Sequence, residues 1–347
     1  MLASHLSRVV RSRLPRWRAR LIGLTGLLGL VLAGLLLASQ VWTSWGLMPA
    51  GRQTEVEVLP GHSAGDIARL VSASGARLPA WAFRWAARLG GRERLFKPGI
   101  YRIDDRLVLR ELMRRLERGE VLLTEVRLIE GMTWRQFRQT LATAQGLRSR
   151  TQALDDAALM AALGVPGLAP EGQFLPDTYI VPKGSEDLLV LSMARRAMQQ
   201  RLDAVWSTRA PGLPLAARDD LLTLASLIEK ETGVAGDRPL VAGVFVNRLR
   251  LGMLLQTDPS VIYGLGERFD GRLHKRDLLA DGPFNTYRQA GLPPTPICMP
   301  GLAALEAAAH PRDTGALYFV ARGDGSSEFS ATLQAHNRAV ARYILGR

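Results

Sequence analysis

The period of apolar and polar positions changes several times along the 347-residue chain. From Leu21 to Gly51 there is no charged residue, and LIGLTGLLGLVLAGLLLAS is almost wholly Leu, Gly, Val and Ala. An uncharged apolar stretch of about 20 residues spans a hydrocarbon layer as one helix. The expectation is a basic tail over 1–20, a transmembrane helix over 21–42 and a linker over 43–52. Arginines before the span and none directly after it put the N-terminus in the cytoplasm. Trp42 and Trp45 would sit at the far interface. The run is longer than the apolar part of a cleaved signal peptide. The rest of the chain is then held outside the cytoplasmic (inner) membrane.

After the linker the pattern shortens. TEVEV alternates as a strand does, and Pro60-Gly61 is turn chemistry. Ser63, with Asp66 three residues on, reads as the N-cap of a helix carrying Ile67, Leu70 and Val71 on one face. LFKPGIYRI reads as a second strand, and LVLRELMRRLERGEV as a helix stopped by Gly119. These make a small α/β module over 53–122. VRLIEGMTWRQFRQTLA repeats the strand–turn–helix order and opens a mixed domain over 123–347. In it, 150–170 reads as helical, EGQFLPDTYIVPKGS as irregular, and 185–206, 218–232 and PLVAGVFVNRLRLG as helices. Residues 253–300 are rich in Gly, Pro, Asn and Tyr; a loop that long inside a compact domain is usually functional. A hairpin and a terminal helix finish the chain. The fold class is α+β.

The segment LLTLASLIEKETG (221–233) ends an apolar run with two acids. On a helical wheel Leu221, Leu224, Leu227 and Ile228 share one arc, and Glu231 falls in its middle. Glu229 falls on the opposite side, beside Ala225 and Ser226. Burial and the carbonyl end of a helix both disfavour the charged form of Glu231. A carboxyl kept protonated near neutral pH is what a general acid needs. An acid that swings into solvent in the last turn before Gly233 fits the same spacing. Asp177 and Asp258 lie in turn contexts that suit self-capping. Ser226 has no nearby His, so a serine triad is not supported.

Composition excludes several classes. The net charge is +13, falling to +7 without the six arginines of the first twenty residues. No basic block interleaved with aromatics remains, so nucleic acid is not expected as a partner. The single cysteine, Cys298, rules out an internal disulfide and a cysteine-based metal site, and the five scattered histidines show no ligand pair. GLGERFDG and RGDGSS are turns rather than phosphate loops. No metal and no cofactor is expected.

EGQFLPDTY (171–179), ASLIEKETG (225–233), VFVNRLRLGMLLQTDPSVIYGLG (244–266), FNTYRQAGLPPTPI (284–297) and YFVARGDGSSEFS (318–330) together resemble the YceG-like endolytic murein transglycosylases. The resemblance implies a LysM-like small module, carried by PGHSAGDIARLV and LFKPGIY. It implies cleavage of the β-1,4 bond between N-acetylmuramic acid and N-acetylglucosamine in peptidoglycan glycan strands, with a 1,6-anhydro end left behind. The family's catalytic glutamate maps onto Glu231. One carboxyl suffices for that chemistry, because the sugar's own C6 hydroxyl replaces the water that a hydrolase activates with a second acid. Gln256, Asp258, Tyr263, Asn285 and Tyr287 offer groups suited to acetamides and hydroxyls, and Glu171 is placed in the same cleft. Membrane and glycan are the implied partners, with penicillin-binding proteins beside them. The sequence departs from the family at Glu328, where relatives carry His, and at Cys298–Met299. A wall-binding scaffold without catalysis and a true glycan hydrolase are the alternatives.

Overall fold

The computed structural model describes residues 25–34, 36, 37 and 46–346. They form two compact units, one running to Leu122 and one starting at Leu123. Among the described residues no helix is long and apolar enough to cross a membrane. Residues 25–34, 36 and 37 are helical and expose Leu27, Leu30, Leu36 and Leu37. The rest of the expected span over 21–42, the tail over 1–20 and Trp42 and Trp45 lie outside the described residues.

In the first unit β1 (Gln53–Val58) pairs antiparallel with β2 (Gly99–Asp104). Alternation sends Val56 and Val58 inward, where they meet α1 (Ala64–Ala73), α2 (Ala80–Leu89) and α3 (Leu109–Arg118). Ser63 and Asp66 form a reciprocal capping box at the start of α1, and Gly119 ends α3 in the left-handed conformation at φ 72°. Part of the expected linker is not a linker. Leu47 and Met48 are buried in this core, and the Leu47 N–H donates to the Leu107 carbonyl at 2.8 Å.

The second unit opens with β3 (Leu123–Arg127), a turn, and α4 (Trp134–Thr143), which starts on a Thr133–Gln136 capping box. β3 pairs antiparallel with β4 (Thr178–Pro182), a strand inside the stretch expected to be irregular. Of the expected helix over 150–170 only one 3-10 turn and α5 (Asp156–Ala162) form. α6 (Asp187–Ser207), α7 (Arg218–Glu231), α8 (Arg238–Arg250) and α11 (Leu302–Ala309) build the main core. The segment 253–300 is not one loop. It holds α9 (Asp258–Leu265) and α10 (Lys275–Leu279), with Pro259 tolerated because it sits in the first turn of α9. The hairpin of β5 (Tyr318–Ala321) and β6 (Ser327–Ser330) and α12 (Leu333–Tyr343) close the unit.

α7 is the centre. Every residue from Leu221 to Ile228 is buried, including Leu222, Ala225 and Ser226 on the side that the wheel leaves polar. A helix apolar all round is a core helix, not an amphipathic one. α8 supports this core at close range. A Cβ on Gly243 would lie 2.4 Å from the Arg312 carbonyl oxygen, so Gly243→Ala forces backbone apart. We expect it to cost about 1–3 kcal/mol, a fall of several degrees in Tm. Gly236→Ala, which meets nothing within 4 Å, should change stability by less than about 0.5 kcal/mol. Equal Tm values for the two variants in thermal denaturation would refute this packing.

Candidate active site

α7 ends at Glu231 because Thr232 turns extended, at φ −145° and ψ 132°. Gly233 supplies no left-handed stop. The last turn therefore leaves the core abruptly. Glu231 is half-buried there, and its Oε2 accepts the Thr257 hydroxyl at 2.8 Å. Burial pushes the Glu231 carboxyl up, and the neighbouring Asp258 adds to this. The Thr257 hydroxyl and the Arg248 guanidinium pull the other way.

Thr257 comes from the stretch just before α9. Its N–H donates to Thr286 Oγ1 at 3.0 Å, and Ser260 Oγ lies 2.9 Å from that same atom. These three hydroxyl residues are buried and hydrogen-bond one another. Gln256 precedes them, exposed, with φ 52°, the one non-glycine residue of positive φ among the described residues. Asp258 is exposed and accepts the Tyr287 hydroxyl at 2.6 Å, and burial raises the Tyr287 phenol. Arg248, buried on α8, donates to the carbonyls of Leu254, Leu255 and Leu317 at 3.2, 2.8 and 2.7 Å.

Glu171 and Tyr263 belong to a second group. Glu171 is 6% exposed, and the first N–H of α4, on Trp134, donates to both its oxygens at 3.0 and 3.1 Å. The nearby Tyr263 hydroxyl also favours its charged form. Burial pushes this carboxyl up to about 7, despite these donors. It faces a cavity of about 700 Å³ walled by Trp134, Arg135, Lys230, Pro259, Ile262 and Tyr263. Lys230 and Pro259 are the chain neighbours of Glu231 and Asp258, while Glu231 itself is not part of the wall.

Asn285 stands apart from both groups. Its Nδ2 donates to the carbonyls of Asp277, Leu278 and Ala280, and its Oδ1 accepts the Tyr287 N–H. The structure uses this side chain to hold the α10 turn. Glu229 is not the solvated acid that its place on the wheel suggests. It is half-buried, accepts the Gly301 N–H at 3.0 Å, and has its carboxyl raised by burial and by Glu130. Among the described residues no His, Cys, Asp and Glu side chains come together to hold a metal ion.

The family model described as the YceG-like family matches residues 56–342. The chain belongs to this family. A stretch of 124 residues is 49% identical to a protein named endolytic murein transglycosylase from Bacillus subtilis (strain 168), covering 36% of this chain and 34% of that one. Over 284 residues the chain is 28% identical to a protein of the same name from Streptococcus pneumoniae serotype 2 (strain D39 / NCTC 7466), covering 72% of this chain and 51% of the relative. The matches thus span only about a third to a half of these relatives' length. A solved yceG-like protein from Listeria monocytogenes is 27% identical, with a TM-score of 0.51, over 83% of this chain and 99% of that one.

In this YceG-like chain, sequence reasoning passes over Thr257 and Arg248. A Thr before Asp-Pro reads as a helix cap, and an Arg within NRLRLG as a surface charge. Glu328 pairs with Arg322 in the β5–β6 hairpin, while Cys298 and Met299 are fully buried.

A carboxyl that rises from 4.5 to about 7 on folding takes up a proton. Its contribution to stability is full below pH 4.5 and is lost as the pH rises through 7. Glu171→Gln should flatten the fall in stability between pH 5 and 7.5 by about 2 kcal/mol, read as a smaller fall in Tm across that window. Parallel Tm curves for wild type and variant would show that Glu171 keeps an ordinary proton affinity.

Proposed function

We propose that this protein is a membrane-anchored lytic transglycosylase that cuts nascent peptidoglycan strands, with Glu231 as its acid and base. The observation that carries this is the half-buried Glu231 at the end of the core helix, its carboxyl raised by burial and held by Thr257. The relatives' name, endolytic murein transglycosylase, supports the substrate class.

The chemistry follows from one carboxyl. Protonated Glu231 gives its proton to the glycosidic oxygen as the bond from C1 of N-acetylmuramic acid breaks. The resulting carboxylate then takes the proton of the C6 hydroxyl as that oxygen bonds to C1. The acid is regenerated, a 1,6-anhydro ring is left, and no water is consumed. An attack from within the same sugar avoids the entropy of binding a separate nucleophile. Asp258 and Tyr287 stand beside Glu231, and Gln256 is exposed next to them, so these three are the groups proposed to hold the sugar. Glu171 and Tyr263 would serve the adjoining cavity.

The uncharged stretch after the N-terminal arginines supports a single-pass anchor in the inner membrane, with the larger unit in the periplasm. The exposed leucines of 25–37 fit a lipid surrounding. We read the first unit as a LysM-like glycan grip, and wall synthases of the penicillin-binding type as partners. A second reading, a hydrolase, is favoured by one observation. Glu171 is a buried, proton-holding carboxyl on the cavity wall beside Lys230, and could serve as a second acid.

Incubation of the full-length protein with purified peptidoglycan, followed by mass spectrometry of the released ends, separates these. Wild type should release 1,6-anhydro ends, and Glu231→Gln should lose at least about a hundredfold in rate. Reducing ends would establish the hydrolase. Activity retained by Glu231→Gln would move the acid to Glu229.

A further inference from the structure

Thr257 occupies the N-cap of α9, the position from which a Thr side chain ordinarily turns back to bond the N–H groups of its own helix. Here it makes no such bond. The hydroxyl is directed to Glu231 instead, at 2.8 Å. The helix forgoes its cap, and the acid gains a fixed donor from a residue only 2% exposed.

The backbone that aims Thr257 is strained and clamped. Gln256 takes a left-handed conformation that L-residues adopt only where their surroundings over-determine it. Arg248 holds the carbonyls of Leu254 and Leu255 on one side. On the other, Thr286 accepts the Gln256 N–H on its carbonyl at 3.0 Å and the Thr257 N–H on its hydroxyl at 3.0 Å. Ser260 Oγ donates to the Thr257 carbonyl at 2.9 Å. Three elements, α8, α9 and the segment before Tyr287, thus converge to place one hydroxyl. Strain held by this many partners marks a segment kept for its geometry.

We propose that Thr257 is the positioning residue of the catalytic acid: its hydroxyl, aimed by the clamped turn at Gln256, fixes the Glu231 carboxyl and bonds the carboxylate that proton donation leaves behind. This rests on the reading of Glu231 as the acid. With Oε2 occupied by Thr257, Oε1 has no protein donor among the described residues and is the oxygen left to carry the proton. A donor that favours the ionised carboxyl stabilises the charge that develops there as the glycosidic bond breaks. The other groups facing Glu231 are Asp258, Tyr287 and Arg248.

The test uses the full-length protein with Thr257→Val, Thr257→Ser and Glu231→Gln, measuring kcat, KM, the pH profile of kcat and Tm. Thr257→Val keeps the shape of the side chain and removes the donor. The expected result is a loss of about ten- to a hundredfold in kcat with KM within about twofold. Loss of a donor to the charged form raises the proton affinity of Glu231, so the alkaline limb of the kcat profile should move to higher pH. Thr257→Ser restores the donor and should recover both kcat and the limb. Wild-type kcat and pH profile in Thr257→Val, with Glu231→Gln inactive, would overturn the proposal while leaving the acid in place. So would a loss that follows a fall in Tm, leaves the limb unmoved and is not recovered by serine. An active Glu231→Gln would instead remove the reading on which the proposal rests.

Discussion

The structure depends on the burial of one helix on all its sides. From Leu221 to Ile228, α7 offers no face to water, and α6, α8 and α11 pack around it. A helix in that position has only its ends to place polar groups, and its C-terminal end carries Glu229, Lys230 and Glu231. Each must find a partner or emerge within one turn. Glu229 finds the Gly301 N–H, Lys230 the Gly131 carbonyl, and Glu231 the Thr257 hydroxyl. Burial at this helix end thereby raises the proton affinity of Glu229 and Glu231.

The polar segment that faces this helix end is built by hydroxyls and one amide rather than by a sheet. Thr257, Ser260 and Thr286 bond one another out of water, and Asn285 ties three carbonyls of the α10 turn. Such a network tolerates few alternatives, because each buried group left unpaired costs the full loss of its hydration. It is stiff enough to hold Gln256 in a conformation it would not choose alone.

Three carboxyls in the larger unit, Glu171, Glu229 and Glu231, have raised proton affinities, and Glu171 and Glu231 sit in contrasting surroundings. Glu171 is nearly sequestered and takes the Trp134 N–H on both oxygens, with Gly172 and Tyr263 also favouring its charged form, and burial still dominates. Glu231 is raised by burial and a neighbouring acid, with one hydroxyl in contact and a guanidinium nearby. The first arrangement ties EGQF to the start of α4. The second leaves an oxygen available. That difference in free valence, more than proton affinity, separates the group that anchors from the group proposed to react.

Most of the small module was legible from residue order, because its signals are local, though α2 was not read. Alternation in TEVEV, the Ser63–Asp66 capping box and Gly119 after an amphipathic run each act within a few residues. The same holds for the second strand–turn–helix and for α6, α7 and α8, whose apolar content exceeds any competing preference. Glu231 could be singled out by its place after an apolar run, though not for the stated reason. The wheel assumed one buried face, and tertiary packing buried both, so Glu229 changed character as well. β4 and α9 were hidden because Pro and Gly lie in or beside them, and only long-range pairing with β3 and contact with α7 decide their form. The sequence by itself determined the core helices, most of the small module, the resemblance and the choice of Glu231 as the proposed acid. The tertiary structure alone decided what surrounds that acid, because Thr257, Arg248 and Tyr287 reach it from segments whose local patterns carry no record of their meeting.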